Sequence, residues 1–190
     1  MLRLLVTAAA VLCVVAEPAP AAPPVPTPIG VGPRFHPSPT STAVARARPI
    51  GRLSCGARVS RLVRAHVELF VRGRVVIVPA GIGMAPPFAV RDGVVRSARC
   101  SYPVRTVEPT GVVEVDAGLR PTLGDLFAVW GRRLSPQGLL GFQGRVRVYV
   151  AGKPRRGDPR TIPLRRHAQI VLEVGPYIPP HRTYLFGPGR

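Results

Sequence analysis

The sequence predicts a compact, β-rich α+β domain in which antiparallel hairpins form a sheet covered by one helix at about residues 122–131. Three observations predict it. Twenty-four prolines and twenty glycines in 190 residues interrupt helix interiors along the whole chain and exclude a helical bundle. Short runs of Val, Leu and Ile are separated by glycine-centred connections, the pattern of hairpins. One stretch alone carries helical periodicity between a start and a stop signal. Aromatic residues make up 6% of the chain, so the core is expected to be mostly aliphatic.

Met1-Leu2-Arg3 is a short positive segment and Leu4 to Ala16 an unbroken apolar run. That run is shorter than the roughly 20 residues a membrane-spanning helix needs, and it fits an export signal over residues 1–21, with cleavage after Ala16 or Ala21. A lipid anchor at Cys13 is disfavoured by the bulky Leu12 before it. Residues 17–49 hold ten of the prolines, so 22–51 reads as a Pro/Ala-rich disordered spacer and 52–190 as a single β-rich domain. No later apolar run is long enough to span a bilayer, so the mature chain is expected to be exported (secreted, periplasmic or held in the envelope) without a transmembrane helix. Cleavage removes Cys13 and leaves Cys55 and Cys100, which in an oxidising compartment read as one disulfide, with two separate buried thiols as the alternative. Such a loop would stabilise by roughly 4 kcal/mol through chain entropy. Neither cysteine belongs to a C-x-x-C pair, so redox and structural-zinc roles have no spacing behind them.

Within the domain, Val67 to Val71 and Val75 to Val78 flank Arg72-Gly73-Arg74 as a hairpin, and Pro79-Ala80-Gly81-Ile82-Gly83 ends the second strand. Further strands are expected at Val112 to Val115, Val146 to Val150 and Ile170 to Val174. The helix opens on Thr122 with Asp125 three residues on, a capping box with Asp in place of the preferred Glu or Gln. Leu123, Leu126, Phe127 and Trp130 then fall on one face as core anchors, and Gly131 provides the stop. A faint echo overlays Val67 to Arg74 on Val146 to Lys153, through either duplication or shared hairpin chemistry.

The order of these motifs resembles a family of exported bacterial proteins. Its members carry a Cys, a strand reading His-x-His-Ala-His-Leu, and a hairpin ending Pro-x-Gly-Ile-Gly-Ile. A second Cys then leads into Tyr-x-x-His-Thr-His-Asp, Gly-Ile-Ile-His-x-Glu and Phe-Thr-Leu-Gly-x-Phe-Phe-x-x-Trp-Gly. The corresponding residues here are Cys55, Ala65-His66-Val67, Pro79 to Met84, Cys100-Ser101-Tyr102-Pro103, Thr110-Gly111-Val112-Val113 and Pro121 to Gly131. The resemblance spans about residues 55–188, including Ile162-Pro163-Leu164, His167 and Pro179-Pro180, and brings no activity with it. The family's histidines imply a zinc or copper site, with metal handling or metal-dependent chemistry as one functional reading.

This sequence departs from the family at nearly every such position. Leu62 and Arg64 stand where two imidazoles would fall, Arg105-Thr106-Val107-Glu108 replaces the His-Thr-His-Asp stretch, and Glu114 and Asp116 follow. Arginine keeps its proton at any ordinary pH and cannot ligate a metal. His66 is thus the one weak metal candidate, and neither a metal nor any other cofactor is expected. The replacements suggest instead an ion-pair cluster of Arg64, Arg105, Glu108, Glu114 and Asp116 that cross-links the strands through guanidinium–carboxylate forks. The alternative is that these residues simply face solvent.

Charge and missing motifs bound the function. Lys and Arg number 27 against 9 acids, giving +18, and only Lys153 is a lysine. Such a surface attracts polyanions such as lipid headgroups or acidic envelope polymers. The arginines are dispersed and not interleaved with aromatics, which argues against specific nucleic-acid recognition. The chain contains no Gly-x-Ser-x-Gly, phosphate-binding glycine loop or His-Glu-x-x-His, and Gly81-Ile82-Gly83 lacks the third glycine and the following helix. His36, His167 and His181 form no nucleophile–base spacing with His66. Arginines near Glu108, Glu114 and Asp116 would depress their pKa values, the wrong direction for a general acid. The expectation is therefore a non-catalytic exported domain binding envelope polyanions or a protein partner, with no catalytic residues.

Overall fold

The computed structural model describes residues 32–38 and 41–186, so the expected export signal at 1–21 and residues 22–31 of the expected spacer lie outside the described residues. In chain order the elements are β1 (Arg34–Phe35), α1 (Thr42–Ala45), β2 (Leu62–Val71), β3 (Arg74–Val76), β4 (Met84–Arg91), β5 (Val94–Ser101), β6 (Val104–Arg105), β7 (Val112–Asp116), α2 (Leu123–Trp130), β8 (Leu134–Ser135), β9 (Gly138–Leu139), β10 (Phe142–Gln143), β11 (Arg147–Val150), β12 (Lys153–Arg155) and β13 (Gln169–Val174). Single 3-10 turns occupy Ala117–Leu119 and Pro159–Thr161. The protein is β-rich α+β, as its sequence predicts.

The main sheet has the order β1-β3-β2-β13-β11-β12, and β7 with β6 continues beside the first half of β2. The hairpins are antiparallel, but the two halves of the sheet join through a parallel pairing of β2 with β13, His66 opposite Gln169 through Val71 opposite Val174. Strand alternation then divides the residues of β2 between two faces. Ala65, Val67, Leu69 and Val71 enter the core with Val113, Val115, Ile170 and Leu172. Leu123, Leu126, Phe127 and Trp130 of α2 pack into the same cluster, so all four anchors are buried. Arg64, His66 and Glu68 face the other way.

The helix is held as its sequence predicts. The Thr122 side chain accepts from the Asp125 N–H, Asp125 accepts from the Thr122 N–H at 2.9 Å, and Gly131 ends the helix in the left-handed region at φ 68°. A Cβ on Gly131 would lie 2.5 Å from Ser41 Cβ. Hairpin turns share one conformation: Arg72-Gly73, Asp92-Gly93, Leu140-Gly141 and Ala151-Gly152 all have paired positive φ values, the type I′ geometry that matches strand twist. The two echoing hairpins therefore turn alike, and so do two hairpins outside the echo. Cys55 and Cys100 form a disulfide with Cα atoms 5.6 Å apart, tying the 53–56 segment to the β4–β5 hairpin.

The expected disordered spacer at 22–51 is corrected over its second half. β1 pairs in parallel with β3, Val44 is fully buried, the Ser41 hydroxyl donates to the Val129 carbonyl at 3.1 Å, and Trp130 Nε1 donates to the Ser38 carbonyl at 2.9 Å. Proline is tolerated at a sheet edge because only one side of the strand must donate. Pro33 and Pro37 flank such a strand, whose apolar Phe35 packs on the core. Described residues upstream of 52, at 33–38 and 41–51, therefore pack as part of the folded domain. Among the described residues no helix is long and apolar enough to cross a membrane.

Candidate functional site

The face of the sheet opposite α2 gathers the charged and polar residues of β2, β6, β7, β11 and β13. Register places them together. Glu114 on β7 has Arg64 of β2 as its partner on one side and Arg105 of β6 on the other. Arg64 donates from Nε and Nη2 to Glu114 Oε1 at 3.0 and 2.6 Å, while Arg105 Nε donates to Oε2 at 3.1 Å and its Nη1 to Ser101 Oγ at 3.0 Å. One buried carboxylate thus joins three strands through two guanidinium groups. Glu108 is buried too, accepts from the Thr110 hydroxyl at 3.2 Å, and lines the same small cleft as Arg64 and Glu114.

Asp116 does not belong to this cluster, which corrects the expectation. Its carboxylate accepts from the Ser60 N–H and hydroxyl and from the N–H groups of Arg61 and Gly118, at 2.7–3.1 Å. Those donors, Ser60 foremost, hold its pKa well below the usual aspartate range. At the end of a strand, with three N–H groups within reach, a carboxylate becomes a turn cap in preference to an ion-pair partner.

His66 sits at the centre of a second network. It is buried, its Nε2 donates to the Thr110 carbonyl at 2.8 Å, and its Nδ1 meets the Gln169 amide at 2.6 Å. Gln169 reaches Glu68 Oε2 at 3.4 Å, and the exposed His181 meets the same oxygen at 2.8 Å. Gly111 permits this approach: at φ 82° it has no Cβ, and one placed there would lie 2.9 Å from His66 Nε2. Tyr184 stacks on the His66 ring with centroids 3.9 Å apart. The proton count of the chain is informative. With Gln169 Oε1 toward the ring, both imidazole nitrogens face acceptors, so His66 must be cationic against a Glu68 carboxylate. With the amide turned over, neutral His66 accepts from Gln169 and Glu68 donates as the acid. Burial lowers the His66 pKa and raises that of Glu68, and Glu68 Oε1 has no partner among the described residues. The His181 contact opposes the rise at Glu68.

On the same face Arg147 of β11 clasps the fully buried Glu173 of β13, from Nε and Nη2 at 3.1 and 3.0 Å. Burial raises the Glu173 pKa and Arg147 opposes that rise. Residues 176–186 run over this face: Ile178 packs against Phe70, Val75, Ile77 and Val171, and Phe186 stacks on His167. Sequence alone does not single out Glu68, Gln169, Glu173 or Tyr184; its one signal is an isolated Glu between Val67 and Leu69. Among the described residues no group of three or more His, Cys, Asp or Glu is placed to hold a metal ion.

Two arginine-lined clefts open on the domain, the second sharing Arg147 with this face. The first, about 570 Å³, is lined by Arg61, Arg120, Arg165 and Arg166 over Leu62 and Leu164; the second, about 520 Å³, by Arg145, Arg147, Arg155 and Arg156 beside Tyr149. Among the described residues no Asp or Glu lines either. No family model matches the chain, and neither the curated proteins nor the solved structures contain a match to it.

Proposed function

We propose that this protein is an exported, non-catalytic binding domain for anionic components of the cell envelope, acidic polymers or lipid headgroups. The observation that carries this reading is the pair of clefts, each lined by four arginines and, among the described residues, by no carboxylate. In a chain with net charge +18, such concavities concentrate positive potential where a polyanion can sit. A non-catalytic role is supported by the state of the titratable groups, since Glu114 and Glu173 serve arginines and both His66 nitrogens are engaged. The Arg64–Glu114–Arg105 link stands where the resembling family gathers imidazoles, and in this reading it replaces a metal as the strand cross-link. A disulfide suits an oxidising compartment.

The test is a salt titration of the purified protein on vesicles containing phosphatidylglycerol and on polyglycerol phosphate. Binding is expected to fall by at least about tenfold between roughly 50 and 200 mM salt and to be absent from phosphatidylcholine vesicles. Failure to bind either anion at low salt, or stoichiometric zinc or copper in the purified protein, would overturn the reading.

A further inference from the structure

We infer that the cleft at the start of β2 is a site for the phosphate head of an amphiphile, a phosphate group carried on an apolar chain. This rests on the anion-binding reading above and narrows it to one place and one ligand chemistry. Three chain segments deliver the arginines. Arg61 enters β2, Arg120 follows β7 with its backbone in the left-handed region at φ 48°, and Arg165 and Arg166 lie on the turn before β13. Backbone hydrogen bonds fix that turn: Leu164 N–H donates to the Pro121 carbonyl at 2.8 Å, His167 N–H to Arg64 at 2.7 Å and Ala168 N–H to Arg165 at 3.1 Å. The guanidinium groups therefore come from a braced frame, not a loose loop.

Their electrostatics are uncommitted. None of these four arginines has a carboxylate partner among the described residues. Asp116, close by in sequence, has its oxygens occupied by Ser60, Arg61 and Gly118. The second cleft differs, because its Arg147 is already committed to Glu173. Arginine forks suit phosphate oxygens in particular.

The lining also holds apolar side chains. Leu62 is 42% exposed and lines the cleft with Leu164 among the four arginines. An exposed leucine in a lining shared with four arginines gives nothing to inorganic phosphate or to a polysaccharide, whereas an alkyl chain attached to the phosphate would cover it. The volume, about 570 Å³, falls within the range of small-molecule sites.

The test titrates the full chain calorimetrically with dihexanoyl phosphatidate below its micelle concentration, and separately with inorganic phosphate. Phosphatidate is expected to saturate one site at least about tenfold more tightly than inorganic phosphate. The double variant R61A/R165A should weaken it by about tenfold or more, while R58A/R133A, an equal loss of exposed charge outside the cleft, should leave it within about twofold. Leu62→Ser should bring the two ligands to within about threefold of each other. Trp130 fluorescence reports that each variant is folded. Equal binding of the two ligands, or equal loss in the control variant, would overturn the proposal. Absence of saturation by phosphatidate while phosphatidylglycerol vesicles still bind would sink this site and leave the broader anion-binding reading standing.

Discussion

At the scale of single residues, the polar face works through carboxylates whose surroundings push them in opposite directions. Glu114 is nearly enclosed between Arg64 and Arg105, so Glu114→Ala leaves two partly buried cations without a counter-charge. The expected loss is about 2–3 kcal/mol, read from the urea midpoint followed by Trp130 fluorescence. Asp116 has a lowered folded pKa, so its contribution is fully present above its ordinary value of 3.8 and disappears as pH falls through the folded value. Asp116→Asn should therefore be less stable than the parent at pH 7, with the deficit closing in acid. Glu68 has the opposite sign, because burial raises its pKa above the ordinary 4.5. Its favourable contribution is complete below that value and is lost as pH rises through the folded pKa. Glu68→Gln should accordingly improve relative to the parent between pH 4 and pH 7 in the same unfolding assay. Register across β2, β7 and β6 sets Arg64 and Arg105 on either side of Glu114, a grouping the sequence suggests only through the positions where the resembling family carries histidines. Asp116 is misread because its partners are backbone N–H groups brought in by a turn, which no charge pattern reveals.

At the scale of elements, α2 shows how much a local signal can specify. Thr122, Asp125 and Gly131 act as a cap, a reciprocal cap and a stop, and the apolar spacing between them decides which side is buried. Thr122→Ala should cost about 1 kcal/mol, measurable as a lower thermal midpoint with an unchanged native spectrum. The hairpin of β4 and β5 is less legible. Asp92-Gly93 is a strong turn signal, but Pro86-Pro87 interrupts the first strand and Arg96, Ser97 and Arg99 leave the second with little apolar alternation. The parallel union of β2 with β13 is not legible at all, since it pairs segments about a hundred residues apart and depends on the intervening chain. The two ends of the main strand order are short. β12 carries Lys153, Pro154 and Arg155, which discourage further pairing, and β1 covers β3.

At the scale of the whole molecule, the disulfide ties the 53–56 segment to a hairpin that forms its own sheet. Replacing Cys55 and Cys100 by serine should reduce stability by roughly 4 kcal/mol, measured by urea unfolding. The clefts were beyond sequence reading because their arginines converge from separate segments, and dispersed positive charge looks the same in a chain whether or not it gathers in space. The Pro33 and Phe35 carbonyls accept from Val75 and Ile77 at 2.8 and 2.9 Å, and Ser38 accepts from the indole of Trp130. A shortened version starting at residue 52 would bare the donors of β3 and loosen the indole. Two such molecules would then zip together along that exposed rim, giving dimers or precipitate on concentration where the longer polypeptide stays single, with a red-shifted tryptophan emission as the early warning.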